Sequence, residues 1–148
     1  MLSQTAEYAL RAVLYLAERG QPAPVNVDEM AAALGIPANY LSKTLQVLVR
    51  ARILGSLRGP HGGFQLAVAP EDLSLMRVVA PFDPIVERRR CLLGRPECSD
   101  RHPCAAHDKW KATAEKVAHF FRSTTVADVR GTPEQLRVAR STQPRRSA

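Results

Sequence analysis

The chain has 148 residues, 45% hydrophobic and 24% charged, with a formal net charge of +7, a balance that suits one domain of ordinary size plus an appendage and excludes a wholly disordered chain. No apolar stretch is long enough to cross a bilayer, and the segment from Met1 to Tyr8 lacks the basic flank and apolar run of a signal peptide, so a cytoplasmic protein without a membrane partner is expected. The positive charge is local: residues 1 to 75 carry six Lys/Arg against six Asp/Glu, yet Lys43, Arg50, Arg52 and Arg58 stand between Asn39 and Leu66 without an acid, which makes nucleic acid the first partner to consider.

Between Ser3 and Arg19, Ala6, Ala9, Leu10, Val13, Leu14 and Ala17 recur at three- and four-residue steps, and Gly20 follows as a stop, so an amphipathic helix is predicted there. After a loop with Pro22 and Pro24, Asn26 and Glu29 have the form of a capping box, and Met30, Ala31 and Leu34 give a short second helix its apolar face before Gly35. Pro37 opens a third helix, with Leu41, Leu45, Leu48 and Val49 as its buried stripe and Asn39, Ser42, Lys43 and Gln46 on the other side. A short helix, a tight turn and a helix with a polar, acid-free face make the helix-turn-helix plan, whose second helix enters the major groove. Gln46 can pair with adenine, Ser42 can contact either base type, and Lys43 can reach guanine or phosphate. Such a polar face is also what any solvated amphipathic helix presents.

The segments Ile53–Leu57 and Phe64–Val68 read as two strands joined by Arg58-Gly59-Pro60-His61-Gly62-Gly63. A hairpin with a basic, glycine-rich tip directly after such a helix pair is a wing, in which the backbone can approach phosphates and Arg58 can enter the minor groove. A short supporting helix is predicted from Ser74 to Ala80, closed off by Pro81 and Pro84.

All three cysteines of the chain then crowd together with a histidine as Cys91, Cys98, Cys104 and His107. Gly94, Pro96 and Pro103 keep this stretch from being a continuous helix or central strand, and a loop can fold three thiolates around one centre. Thiolates suit zinc or an iron–sulfur cluster, and one imidazole completes a four-ligand shell; spacing alone leaves both open. His102 is a competing imidazole, but His107 is better placed, at the start of the next helix. The odd cysteine count argues against a closed disulfide framework. A catalytic set of Cys104, His107 and Asp108 has no orienting third group or oxyanion donor, so no enzyme is expected.

From about Ala106 the pattern is helical again, with Trp110, Ala114, Val117 and Phe121 on one face and Phe120 beside them, a larger apolar stripe than the winged domain has room to cover. After Gly131 the chain turns polar, with Pro133, Pro144 and Arg145-Arg146, and a disordered tail is expected.

The runs Glu7-Tyr8-Ala9-Leu10-Arg11, Asn39-Tyr40-Leu41-Ser42-Lys43 and Arg58 through Leu66, with the cysteine run behind them, resemble the IscR/NsrR-type family of bacterial winged helix-turn-helix iron–sulfur regulators, over residues 1 to 130. The resemblance implies a mainly α fold with a small β wing: a DNA-binding domain at 1–80, a cluster-binding loop at 81–105, a long dimerisation helix region at 106–131 and the tail at 132–148. It implies a [2Fe-2S] or [4Fe-4S] cluster held by Cys91, Cys98 and Cys104, with His107 as the fourth ligand. It further implies a homodimer on a palindromic double-stranded operator, contacted by Asn39, Tyr40, Ser42, Lys43, Gln46, Arg58, Gly59 and His61. Such a protein is expected to be a repressor whose operator affinity follows redox state, nitric oxide or cluster supply. Six residues separate Cys91 from Cys98, one more than in the IscR pattern. Glu7 stands where some relatives take an acidic ligand from the partner subunit, although a first-turn helix acid is commonly there for the dipole alone. A regulator with a structural zinc and no sensing would use the same four ligands.

Overall fold

The chain's computed structural model describes residues 2–20, 23–83 and 90–137. Pro22, Pro84, Arg88, Arg89 and everything beyond Arg137, Pro144 and Arg145-Arg146 included, lie outside the described residues.

Ser3 starts the fold. Its hydroxyl accepts from the Ala6 amide (3.2 Å), and its own amide donates to the buried carboxylate of Asp83 (2.8 Å). Helix α1, Gln4–Arg19, runs from this cap to Gly20, which takes the left-handed conformation (φ 56°) that glycine adopts without steric cost. Ala6, Tyr8, Ala9, Ala12, Val13, Tyr15, Leu16 and Ala17 are buried, a wider face than a single stripe, and Leu10 and Leu14 are only half-buried. The alanines let neighbouring helices approach from more than one side, so the helix is central rather than one-faced.

Helix α2, Val27–Leu34, is capped by Asn26, whose side chain accepts from the Asp28 amide (2.7 Å). Glu29 pairs with Arg19 of α1 rather than turning back to the cap. Helix α3, Ala38–Arg50, buries Leu41, Thr44, Leu45 and Leu48, and the Thr44 hydroxyl donates to the Tyr40 carbonyl (3.1 Å), which is how a polar side chain is tolerated there. Val49, predicted in the stripe, is half-buried. The wing is an antiparallel pair, β1 Leu54–Leu57 and β2 Gly63–Leu66, in register from Leu54 opposite Leu66 to Leu57 opposite Gly63. Val25 bonds Phe64 in both directions (2.8 and 2.9 Å), tying the wing to the segment before α2.

A 3-10 turn at Pro70–Asp72 leads into helix α4, Leu75–Val79, capped by Ser74, and Leu75, Met76, Val78 and Val79 are all buried. Helix α5, His107–Ser123, follows the cysteine loop; of its residues only His107 and Phe121 are buried. The chain then returns to the first half: the Leu75 amide donates to Thr124 O (2.9 Å) and the Val126 amide to Leu73 O (2.8 Å). Phe121, Val126 and Leu136 join the same core as Leu41, Leu45 and Leu48, so the winged unit is completed by residues from beyond position 80.

The start of the expected disordered tail is ordered instead. Thr132 and Gln135 form a reciprocal capping box on helix α6, Pro133–Leu136, and Leu136 is buried, with the short helix against α1 and α2. One apolar anchor in a polar run leaves no periodicity to read, which is why composition pointed the other way.

Candidate metal centre and nucleic-acid interface

Along α3, Asn39, Lys43 and Gln46 are exposed and Ser42 is half-buried; steps of four and three residues put the exposed three in one row on a helix. Gln46 lines a cleft of about 330 Å³ together with Asn26, Ser56, Arg58, Gly59 and Gly62, so α3 and the wing face a shared groove. Arg58, Gly59 and His61 are all exposed at the tip. Tyr40 is 41% exposed, but it is also tied to α1: its hydroxyl shares a hydrogen bond with Thr5 (2.6 Å), and its ring meets Tyr8 edge-on at 5.5 Å. It braces the angle between α1 and α3 as well as facing outward.

The wing glycines serve the fold first. A Cβ on Gly63 would lie 2.3 Å from the Val25 carbonyl oxygen, and one on Gly62 would lie 2.2 Å from that of Leu57. Both contacts are with backbone, so neither can yield cheaply. The expected role of this stretch in approaching phosphate therefore rests on Gly59, around which a Cβ would meet nothing within 4 Å.

The cysteine loop brings its four expected ligands together in two pairs. Cys91 Sγ lies 3.9 Å from Cys104 Sγ, and Cys98 Sγ lies 3.5 Å from His107 Nδ1. Among the described residues no three His, Cys, Asp or Glu side chains converge on a point fit for one metal ion. Cys91 is buried, Cys98 and Cys104 half-buried, and His107 only 5% exposed. The Arg95 amide holds the Cys91 thiol below its ordinary pKa, helped by the Leu93 amide, the Cys104 thiol and the Arg95 charge, against the opposing effect of burial. His102 is exposed, and it is the His102 carbonyl that is engaged, by Arg95 Nη1 (3.0 Å). Glu7 is exposed on α1.

Three partners of this loop escaped the sequence reading. Asp100 accepts from His107 Nε2 (2.7 Å), Lys111 donates to both oxygens of Asp100 (2.9 and 3.0 Å), and the Trp110 indole N–H donates to the Arg90 carbonyl (2.7 Å). An Asp in a polar turn followed seven residues later by a His is no recognised spacing, so no signal marked it. Trp110, read as part of an apolar stripe, clamps the loop's entrance to α5.

A family model described as Rrf2, iron-dependent transcriptional regulator, matches residues 2–131. The chain is 33% identical over 131 residues to an HTH-type transcriptional regulator of Aquifex aeolicus, covering 87% of this chain and 90% of that one. It is 28% identical over 138 residues to the HTH-type transcriptional regulator IscR of Vibrio atlanticus, covering 93% and 79%. In fold it is similar to CymR, the global cysteine regulator of B. subtilis, with TM-score 0.75 and 20% identity over 86% of this chain and 94% of that one. It is likewise similar to T. potens IscR, with TM-score 0.69 and 22% identity over 86% and 84%.

Proposed function

The chain belongs to the Rrf2 family of transcriptional regulators, which are DNA-binding proteins and not enzymes, and from that premise we propose that it is a homodimeric repressor whose operator affinity is set by an iron–sulfur cluster held by Cys91, Cys98, Cys104 and His107. The observation that carries the cluster is the pairing of the donors. Two thiolates on one tetrahedral metal with bonds of about 2.3 Å stand about 3.8 Å apart, and a thiolate and an imidazole slightly less; the two pairs stand at 3.9 and 3.5 Å. Two pairs of that width suit a two-iron centre with two protein donors per iron. A structural zinc would draw all four donors around one point, and a four-iron centre takes one protein donor per iron; metal and sulfide content separates the three.

When bound, such a cluster supplies an oxidisable and oxygen- or nitric-oxide-labile group whose presence can be sensed. The protein's own part is to order the loop. Cys91, Cys98 and Cys104 are the loop's donors, His107 begins α5, and Trp110 fastens the loop's entrance to the same helix. The loop thus reports its state to α5, and α5 reports to the winged core through Phe121 and the Thr124–Val126 return. On the DNA side, Asn39, Tyr40, Ser42, Lys43 and Gln46 of α3 would read one major-groove half-site, with Arg58, Gly59 and His61 on the flanking backbone or minor groove. Dimerisation is supported by the sparse cover on α5, where Trp110, Ala114 and Val117 are half-buried and Phe120 is 50% exposed. Two copies related by a two-fold axis would read a palindrome.

The test is an absorption spectrum of protein purified without oxygen, with iron, sulfide and zinc assays per chain. Iron and sulfide in equal amount with a visible chromophore are expected. A colourless protein holding one zinc per chain would make the site structural.

A further inference from the structure

We propose that Asp100 is the positioning residue that fixes His107 as an Nδ1 ligand, and that Lys111 holds Asp100 in place for that task. The proposal rests on the cluster reading above and adds two residues, Asp100 and Lys111, that it does not use. The His107 ring is almost wholly buried, with Nδ1 toward Cys98 (3.5 Å) and Nε2 on Asp100 Oδ1 (2.7 Å). An ionised carboxylate only accepts hydrogen bonds, so an imidazole that bonds it through Nε2 carries a proton there, and the nitrogen left for a metal is Nδ1, on the Cys98 side. Metal-ligating histidines generally need such an outer partner to hold their orientation.

The fold supplies the partner from both ends. His107 and Lys111 are one turn apart on α5 and share a face. Lys111 Nζ bonds both oxygens of Asp100, at 2.9 and 3.0 Å, which fixes the carboxylate plane in front of the imidazole. The Asp100 side chain is 59% exposed, so the ion pair is screened and adds little to stability. Its effect is geometric: the lone pair is aimed before any metal arrives.

The experiment uses the full chain carrying its cluster, as wild type, Asp100→Ala, Asp100→Asn and Lys111→Met. Two quantities are measured: the rate of cluster loss to an iron chelator, and the histidine-nitrogen hyperfine coupling in pulsed electron paramagnetic resonance of the reduced protein. Asp100→Ala is expected to lose the cluster about 10- to 100-fold faster, with the nitrogen coupling lost or scattered. Asn keeps an acceptor for Nε2–H, so Asp100→Asn is expected to retain the coupling with a smaller gain in rate, and Lys111→Met to resemble it. Asp100→Ala with wild-type coupling and wild-type loss rate would overturn the role of Asp100 alone. A wild-type protein that holds no iron, or whose signal carries no histidine coupling, would instead overturn the reading of the site on which the proposal rests.

Discussion

Single side chains divide between two faces of the chain, soft donors in the loop before α5 and polar or basic groups on α3 and the wing. The crowding of Cys91, Cys98, Cys104 and His107 could be read from the sequence, because soft donors are rare and these stand in a Gly/Pro-broken loop. Asp100 could not, because its role comes from how the loop folds against α5. Each thiolate is expected to be required: Cys98→Ala leaves one of the two pairs with a single donor, and iron exposed to solvent exchanges. Anaerobic purification followed by an absorption spectrum checks this, and full retention of the chromophore would remove Cys98 from the ligand set. His107→Ala is expected to give a labile cluster with a shifted spectrum; a larger shift from Glu7→Ala would move the fourth ligand to α1. On the DNA face, Arg58→Ala is expected to weaken operator binding by about 1 to 3 kcal/mol at fixed salt with the oligomeric state unchanged. Gln46→Ala is expected to relax base preference in a panel of operator variants, whereas equal weakening on all of them would reduce Gln46 to a backbone contact.

At the scale of elements, helix periodicity placed the starts of α1 to α5 to within a residue or two, and Gly20 and Gly35 are the left-handed stops read for α1 and α2; α5 ends at Ser123, short of the helix region expected over 106–131. What escaped was set by tertiary packing. Leu10 and Leu14 lie on the less covered side of a helix buried around most of its girth, and α6 depends on one leucine and a capping box. Leu136→Ala is therefore expected to lower stability by about 2 kcal/mol, the low end for a buried leucine, seen as a fall in Tm; an unchanged Tm would mean that α6 does not hold the core together. The glycines of the wing were read as an approach to phosphate, but Gly63 is required by the close backbone of Val25. Gly63→Ala is expected to cost about 3 kcal/mol, as a side chain in a strained conformation against unyielding backbone. Circular dichroism melts and operator titration together test it: affinity and Tm both fall, while the chromophore stays.

For the whole molecule, the decisive property is that the winged core stands apart from the cysteine loop. The core cluster that holds Leu41, Leu45, Leu48, Ile53, Val78 and Val126 includes no residue between Arg90 and Ala106, and of that stretch Cys91 alone is buried. No described helix is long and apolar enough to cross a membrane, and the charge excess is borne by the second half while the reading face stays locally basic. That distribution was visible in sequence; the return of residues 124–126 to the segment before α4, which links α5 to the winged core, was not, because it is made by backbone bonds that any residue types can form. A tenfold change in operator affinity needs about 1.4 kcal/mol of differential interaction, within reach of ordering or releasing one loop beside a dimer helix. The direct measurement is one operator titrated with cluster-loaded and cluster-free protein at equal salt, with helicity and oligomeric state checked for both. Two folded dimers whose affinities differ by about tenfold or more are expected; superimposable binding curves from two folded dimers would contradict control of the operator by the cluster.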